Sequence, residues 1–309
     1  MEHFDQIPGN SRKVIAPVQY FPLLGLNKKS KFHLFNKIPQ QERQGNIHVF
    51  HPRYLTIPGS HLINVADAML RAAEKTLPVA YPDDETFDLV DAHYLYPDGI
   101  TAYKLSKKHK KPLFLTARGS DVNYWMEQEK HRKHILAAIN YAHKVICVSQ
   151  ALKDRLIQFG IKEAKLIVLR NGVDRALFNP ETKAGPVKGY WLTVGNLVPL
   201  KGHQFILEAL QKFPEEKLII IGSGELESSL KAKAEPLGIL HQVSFLTQIT
   251  HDQLPPFYAG AKVLILMSSM EGMPNVILAS IACGIQGIAT AVEGLPRVIT
   301  SVNWFLLGW

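Results

Sequence analysis

The chain has 309 residues, of which 46% are hydrophobic and 20% are charged. This length allows two domains of ordinary size, and the composition excludes an intrinsically disordered chain. The net charge of +8 is uneven, because residues 1–180 carry 26 Lys and Arg against 17 Asp and Glu, whereas residues 181–309 carry 9 against 10. The basic first half indicates an anionic partner such as membrane lipid, a phosphorylated substrate or nucleic acid, with a solvated basic surface as the alternative.

The cysteines and the hydropathy pattern bear on location. Cys147 and Cys283 cannot build a disulfide framework, which favours a reducing compartment. The first twenty residues lack the apolar core of a signal peptide, and no stretch reaches the roughly 18–20 apolar residues that span a bilayer. We therefore expect a cytoplasmic protein, and the basic first half adds peripheral contact with anionic lipid on the inner face of the membrane.

In the first half, short apolar runs alternate with longer helical patterns. The predicted strands are Val14–Val18, Ile47–Phe50, Leu89–Ala92, Leu113–Thr116, Val145–Val148 and Leu166–Leu169. The predicted helices cover residues 61–75, 98–108, 130–143 and 150–159. Apolar runs without strict alternation are typical of parallel strands covered on both faces. Residues 1–180 are thus predicted to form a doubly wound, Rossmann-like α/β domain.

A segment rich in Pro, Gly and polar residues follows at 178–189 and predicts an interdomain linker. The pattern then restarts with predicted strands at Tyr190–Val194, Leu218–Ile221, Val243–Leu246, Val263–Met267 and Gly287–Ala289. Predicted helices cover 202–213, 225–237, 252–259 and 275–283. Residues 190–309 are therefore predicted to form a second Rossmann-like domain. Two such domains are expected to face a cleft, with ligands beyond the carboxyl ends of the strands.

Both predicted domains look incomplete. Residues 1–12 are polar where a doubly wound domain commonly begins with a strand, and the second domain stops one short segment after Gly287–Ala289. We expect truncation at both ends, with Ser301–Trp309 as an unrelated tail.

The strongest motif is Ser269–Leu278, which follows a predicted strand and opens a helix. Pro274 suits the first helical turn, and free amides together with the helix dipole form a ready anion site. The candidate anion-binding residues of this turn are Gly272, Met273, Pro274, Asn275 and Val276. Just before them, the carboxylate of Glu271 is placed to accept hydrogen bonds from sugar hydroxyls. Taken alone, the segment is better explained as an ordinary connection from strand to helix.

Two glycine-containing loops follow the predicted strands Tyr190–Val194 and Leu218–Ile221, earlier in the chain. The first contains Gly195, Asn196 and Lys201, and a lysine at a helix start is unfavourable for the helix dipole, which hints at function. Lys201 is a candidate for neutralising a diphosphate, with an exposed loop lysine as the alternative. The second loop, Gly222–Glu225, is similar to a dinucleotide fingerprint, but Glu227 stands at the third glycine position, which argues against NAD.

Polar residues also end two strands of the first half. The segments Asp91–Gly99 and Thr116–Asp121 supply His93, Asp98, Arg118 and Asp121 as candidate residues of the presumed cleft. A lone His or Asp in a loop is usually structural, but several at successive strand ends favour a function. No Asp-x-Asp at a strand end and no Cys/His set with ligand spacing predicts a metal, and no nucleic-acid-binding module is recognisable.

Taken together, several segments resemble a known family. They are Asp91–Gly99, Thr116–Asp121, Val145–Ala151, Leu169–Asp174, Val194–Gly202, Gly222–Glu225 and Glu271–Gly284. In order and spacing they resemble the family-4 retaining glycosyltransferases of the GT-B architecture, and within these the enzymes of bacterial cell-surface polysaccharide assembly. The resemblance covers about residues 12–300.

The resemblance implies metal-independent transfer of a hexose, with retention, from a nucleotide-sugar co-substrate to a saccharide or lipid-linked acceptor. It gives Lys201 and the amides around 272–275 to the donor diphosphate, so Gly195, Asn196 and residues 272–276 are the candidate donor-binding residues. It puts Glu271 near the transferred sugar, with Glu271 and Arg118 as candidate catalytic residues. His93, Asp98 and Asp121 are the candidate residues of the acceptor side of the cleft.

The chain departs from the family pattern at four positions. Ala279 stands where a second Glu holds the donor ribose, and Arg297 stands where Glu usually follows the loop at 294–296. Asn196 replaces Arg, and Arg118 replaces His. A poorly active transferase is therefore expected, and the alternatives are an inactive remnant or binding protein of the same family, or a nucleotide-sugar epimerase.

Overall fold

The computed structural model describes residues 8–21, 35–56, 64–83, 85–292, 295–299 and 304–308. Contacts divide the chain into two compact units. The first unit consists of Met1–Ala117, Tyr124–Ile146 and Glu163–Ile167, and the second consists of Arg118–Asn123, Cys147–Lys162 and Val168–Trp309. The domain bounds 1–180 and 190–309 stay a prediction, as does truncation at either end.

The strands before residue 170 form three sheets. They are β1 (Lys13–Ile15), β2 (Val18–Tyr20), β3 (Gln41–Gln44), β4 (Ile47–Phe50), β5 (Arg53–Leu55), β6 (Val90–His93), β7 (Leu113–Ala117), β8 (Lys144–Cys147) and β9 (Leu166–Val168). The sheet orders are β1-β4-β3, β2-β5 and β6-β7-β8-β9. β1 with β4, β2 with β5 and β6 with β7 pair in parallel, whereas β3 pairs antiparallel with β4.

Helices connect these strands and cover the sheets. They are α1 (Val65–Ala80), α2 (Ile100–His109), α3 (Glu129–Tyr141) and α4 (Gln150–Gln158). Asn64 caps α1, since its side chain accepts a hydrogen bond from the Asp67 amide, and Ser149 caps α4 in the same way. The buried face of α1 includes Ala68, Met69 and Ala72, which pack with Tyr54.

The elements of this half differ from the prediction at one strand that is divided, one strand that was not predicted and one helix that extends further. The predicted strand Val14–Val18 is two strands, β1 and β2, because Pro17 between them has no amide hydrogen to donate. β3 was not predicted, since its residues are polar and mostly exposed and carry no hydrophobic alternation. The start of the predicted helix at 61–75 lies outside the described residues, and the helix continues to Ala80.

The second half contains one six-stranded parallel sheet. Its strands are β10 (Tyr190–Val194), β11 (Leu218–Ile221), β12 (Val243–Leu246), β13 (Ala261–Leu266), β14 (Gly287–Thr290) and β15 (Trp304–Leu307). The sheet order is β12-β11-β10-β13-β14-β15. In chain order this is the 3-2-1-4-5-6 arrangement of the Rossmann fold, so the predicted α/β class is confirmed.

The helices of this half alternate with its strands. They are α5 (His203–Leu210), α6 (Glu227–Ala234), α7 (Pro255–Gly260), α8 (Asn275–Ala282) and α9 (Leu295–Val298). Leu192, Leu264 and Ile277 are completely buried in the core cluster that this sheet shares with α8. Among the described residues, no helix is long and apolar enough to cross a membrane.

Part of Ser301–Trp309, expected to be an unrelated tail, adds a strand to the second sheet, and whether it is unrelated stays a prediction. Residues Trp304–Leu307 pair in parallel with β14, with Trp304 opposite Gly287. Trp304 is only 8% exposed, and a Cβ on Gly287 would lie 2.3 Å from its ring. The glycine therefore makes room for the indole. Residues 301–303 and 309 lie outside the described part of the chain.

Candidate functional site

The order of the second sheet determines where a ligand is expected. From β10 the strands β11 and β12 are added on one side, whereas β13 to β15 are added on the other side, so the order in which strands are added reverses between β10 and β13. In open α/β sheets the crevice at such a switch point, beyond the carboxyl ends of the strands, takes the ligand. The loops that leave β10 and β13 are those of Lys201 and Glu271.

The loop after β10 brings Lys201 back over its own start. Lys201 ends a short 3₁₀ turn, Pro199–Lys201, and its Cδ and Cε lie near the space beside Gly195. Gly202 follows with φ +64°, and a Cβ there would lie 2.1 Å from the Met267 carbonyl oxygen. Lys201 therefore immediately precedes Gly202, the N-cap of α5, so its predicted place at a helix start agrees with the structure to within one residue.

Lys201 and Glu271 form an ion pair. Lys201 Nζ lies 2.5 Å from Glu271 Oε1, and Ser268 Oγ donates a hydrogen bond to the same oxygen at 2.6 Å. The Glu271 side chain is 9% exposed and that of Lys201 is 21% exposed. Thr290 at the end of β14 donates to the Ser268 carbonyl at 2.5 Å. The carboxylate is thus held by Ser268, which Thr290 supports, and is neutralised by a partly buried cation.

The turn that follows Glu271 leads into α8. Helix α8 begins at Asn275, and Pro274 is the residue before it rather than a residue of the first turn, at φ −74°. The side chain of Pro274 makes no capping hydrogen bond to the helix. The first-turn amides and the positive end of the dipole therefore lie beside Glu271, which suits a phosphate group. Gly272, Met273, Asn275 and Val276 belong to this turn.

Arg118 belongs to the same unit and lies on a loop that touches this turn. A Cβ on Gly272 would lie 1.9 Å from the Arg118 carbonyl oxygen, and one on Gly119 would lie 3.1 Å from the Gly272 nitrogen. Only glycines permit this approach of two backbones. The arrangement brings the predicted catalytic residues Arg118 and Glu271 to adjoining loops.

The Asp121 side chain holds the loop of Arg118. It is completely buried, and its carboxylate accepts hydrogen bonds from the amides of Arg118, Gly119 and Val122 at 2.7 to 3.2 Å. Burial first, and then the charge of Asp121, raise the pKa of the nearby Cys147 thiol to about 12. This geometry supports a positioning role for Asp121, and its contact with an acceptor stays a prediction.

Asn171 was not among the predicted site residues, yet it joins them. Arg118 Nη1 donates to Asn171 Oδ1 at 3.2 Å, and Asn171 Nδ2 donates to Asn275 Oδ1 at 2.8 Å and to the Met273 carbonyl at 3.4 Å. One amide side chain thereby orients the guanidinium and the first residue of α8. Its position just after β9 is a signal that could have identified it.

His203, the first residue of α5, makes a hydrogen bond to the loop that follows β10. It is buried, and its Nε2 lies 3.2 Å from the Asn196 carbonyl, to which it donates. Burial first, and the charge of Lys201 in addition, lower the pKa of His203. Asn196, a predicted donor-binding residue, therefore has its backbone fixed by a neutral imidazole.

The two remaining predicted residues lie in the first unit. His93 ends β6, and its Nε2 is 3.6 Å from Asp91 Oδ2, with both side chains more than a third exposed. Asp98 lies in the turn Leu95–Gly99 that follows. Arg297 stands at a position whose side chain lies outside the description. Across the described residues, no group of three His, Cys, Asp or Glu side chains could hold a metal ion, and metal independence stays a prediction.

These features define a class of protein. The fold is that of a two-domain α/β glycosyltransferase of the GT-B architecture. Residues 32–177 match the family model "Glycosyltransferase Family 4", and residues 176–303 match "Glycosyl transferases group 1". The chain belongs to the glycosyltransferases that these two models describe.

Relatives agree with this assignment. The chain is similar to an uncharacterized glycosyltransferase of Methanocaldococcus jannaschii, with 27% identity over 93% of this chain and 81% of the relative. It is also similar to the putative teichuronic acid biosynthesis glycosyltransferase TuaC of Bacillus subtilis, with 28% identity over 84% of this chain and 67% of the relative.

Solved structures share the fold. Sucrose-phosphate synthase from Thermosynechococcus elongatus superimposes with a TM-score of 0.74 at 19% identity, over 88% of this chain and 73% of that chain. Anabaena HepE in complex with UDP and glucose superimposes with a TM-score of 0.68 at 22% identity, over 85% and 73%. At these identities the likeness concerns the fold alone.

Proposed function

We propose that the chain transfers a hexose from a nucleotide-sugar to a saccharide or lipid-linked acceptor, with retention of the anomeric configuration and without a metal ion. One observation carries the proposal. At the switch point of the second sheet, the buried Lys201–Glu271 pair lies beside the uncapped start of α8 and the loop of Arg118.

The chemistry requires stabilisation of the leaving diphosphate while the bond to the sugar breaks. The amides of the first turn of α8 supply partial positive charge that is already oriented, so no reorganisation is needed during the reaction. The pairing of Lys201 with Glu271 neutralises that carboxylate, so Glu271 does not repel the diphosphate. Arg118, oriented by Asn171, offers a second cation at the same turn.

The described residues of this site offer no second carboxylate suited to act as a nucleophile, because Asp121 is buried and bonded to backbone amides. We therefore infer attack of the acceptor on the face from which the diphosphate leaves, rather than a covalent intermediate. In this mechanism the departing diphosphate, held by the α8 amides, takes the proton of the attacking hydroxyl as the new glycosidic bond forms.

The comparisons suggest the substrates to test. Anabaena HepE has been solved with UDP-glucose, which makes UDP-sugars the first donors to try. The similarity to a putative teichuronic acid enzyme supports a role in cell-surface polysaccharide assembly. A lipid-linked acceptor is compatible with the basic first half of the chain, which favours peripheral binding to anionic lipid on the cytoplasmic face.

The test is to incubate the purified chain with UDP-, GDP- and ADP-sugars, with and without saccharide and lipid-linked acceptors, and to measure nucleotide release. The product's anomeric configuration is read by proton NMR. Release that depends on acceptor and is lost in Lys201→Met supports the proposal, with Lys262→Met as the matched lysine control.

Other outcomes identify the alternatives. A changed nucleotide-sugar formed without acceptor indicates an epimerase. Donor binding without turnover indicates a binding protein of the family. Ala279 lacks a polar atom for a ribose hydroxyl, so the donor is expected to bind more weakly than in a chain with Glu at this position.

A further inference from the structure

Aromatic side chains gather at the carboxyl ends of two neighbouring strands in the first unit. Tyr94 and Tyr96 follow β6, whereas Tyr124 and Trp125 follow β7, and these two strands are parallel partners. The carboxyl ends of adjacent parallel strands meet at one edge of a sheet. The rings therefore come from two loops at the edge where a ligand is expected.

Three of these rings, together with His131 of α3, form what we call the aromatic cluster, namely Tyr96, Tyr124, Trp125 and His131. The Tyr96 centroid lies 4.5 Å from that of Trp125 and 4.4 Å from that of His131. Trp125 lies 4.9 Å from His131, and Tyr124 meets Trp125 edge to face at 5.0 Å. Each ring thus packs against another ring of the cluster, in which Tyr124 is exposed and Tyr96, Trp125 and His131 are partly buried.

Both loops are fixed by buried anchors. Leu95, next to exposed Tyr94, is completely buried, and so is Met126, two residues after exposed Tyr124. The Tyr94 amide donates to the Thr116 carbonyl at 2.9 Å, and the Gly99 amide donates to the Tyr94 carbonyl at 2.9 Å. The exposure of the rings therefore results from the way the loops are built.

Two of these tyrosines are unusually accessible. Tyr124 is 52% exposed and Tyr94 is 44% exposed, and Tyr94 also adopts φ +74°, which is rare for a residue with a side chain. In the second half, by comparison, Tyr190 and Tyr258 are at most 2% exposed. Large rings held outward on rigid loops are characteristic of binding surfaces.

The charged and titratable side chains on the segment from Asp91 to Gly99 are acidic or neutral, whereas the cation Arg118 follows the neighbouring strand β7. Asp91 and Asp98 flank His93 along the same chain segment, and the charge of Asp98 contributes to raising the pKa of Tyr54, after burial. Carboxylates repel phosphates and accept hydrogen bonds from hydroxyl groups. The chemistry therefore favours a neutral polyhydroxylated ligand over a nucleotide.

We propose that the aromatic cluster, with Tyr94 beside it in sequence, is a saccharide-binding platform on which a pyranose ring of the acceptor stacks. The apolar C–H face of a pyranose carries slightly positive hydrogens that match the negative face of an aromatic ring. The hydroxyl groups around the edge of the pyranose ring then donate hydrogen bonds to the carboxylates of Asp91 and Asp98. This inference rests on the proposed function, because it assigns the acceptor class as saccharide.

The experiment measures saccharide binding by saturation-transfer NMR with maltotriose, cellotriose and chitotriose, using glycerol as a polyol without a ring. At least one trisaccharide binds the wild type and glycerol does not. Tyr124→Ala weakens binding by roughly fivefold or more, and Tyr124→Trp retains it. Tyr141→Ala is the matched control, since Tyr141 is 38% exposed, contacts Tyr103 and donates to the Lys111 carbonyl before β7, at the other end of that strand.

Three results overturn the platform. They are no trisaccharide binding at all, unchanged binding in Tyr124→Ala, or equal weakening in Tyr141→Ala. Calorimetry with UDP-, GDP- and ADP-glucose separates this inference from the proposed function. Donor binding without saccharide binding overturns the platform alone, whereas saccharide binding without binding of any donor overturns the transferase proposal and leaves a saccharide site.

Discussion

Replacement of Lys201 by Met tests the ion pair on which the donor site depends. The change removes the ammonium 2.5 Å from Glu271 and preserves most of the aliphatic stem. Glu271 is then a carboxylate with 9% of its side chain exposed, and Ser268 continues to donate to it. Breaking a buried pair by removing one partner costs about 3–5 kcal/mol, because the remaining charge is left uncompensated.

We expect the lower end of that range, about 3 kcal/mol of unfolding free energy, for two reasons. Ser268 still satisfies one oxygen, and Lys201 is 21% exposed, so water partly screens the pair. Adding Glu271→Gln to Lys201→Met removes the buried charge and should recover about 2 kcal/mol. The double variant is thus more stable than the single one.

The assay is urea denaturation followed by circular dichroism at pH 7, with all four members of the double-mutant cycle. Lys262→Met is the control, because the Lys262 side chain is 58% exposed in its pair with Glu216, and such a pair contributes less than about 1 kcal/mol. A loss in Lys201→Met no larger than in Lys262→Met, or no recovery in the double variant, would refute the buried pair.

Three further predictions follow from the site and the charge pattern. Asp121→Asn should lower the unfolding free energy by about 2–3 kcal/mol, because one acceptor oxygen becomes a donor facing backbone amides; urea denaturation with wild-type stability would remove Asp121 from its positioning role. Burial lowers the pKa of His203 below 6.5, so the unfolded chain takes up a proton first as the pH falls through 6.5 and stability declines there; thermal melts of His203→Gln should show a smaller decline, and an equal decline contradicts this. The purified chain should bind anionic vesicles at low salt and release them at high salt in a sedimentation assay, and salt-independent binding or none counts against a peripheral membrane role.

Much of the fold could be predicted from local pattern. The apolar runs that became β4, β10 and β11 are long enough and bounded clearly enough to be recognised without any knowledge of their neighbours. The start of α8 was predicted to within one residue, because the ring of Pro274 fixes its own φ at a value suited to a helix start, whatever its neighbours are. Exposed β3 and terminal β15 were missed, since each is defined by the strand it pairs with.

The site divides along the same line. Lys201, Glu271 and Arg118 could be singled out because each follows a strand, and that is visible in the sequence. The pairing of Lys201 with Glu271, 70 residues later, and the bridge that Asn171 makes to Asn275 were not visible. Sheet order alone brings these loops together, and that order results from packing between residues far apart in the chain. The sequence by itself therefore determined which residues end the strands, whereas the tertiary structure decided which of them meet, because contact between distant segments has no local pattern.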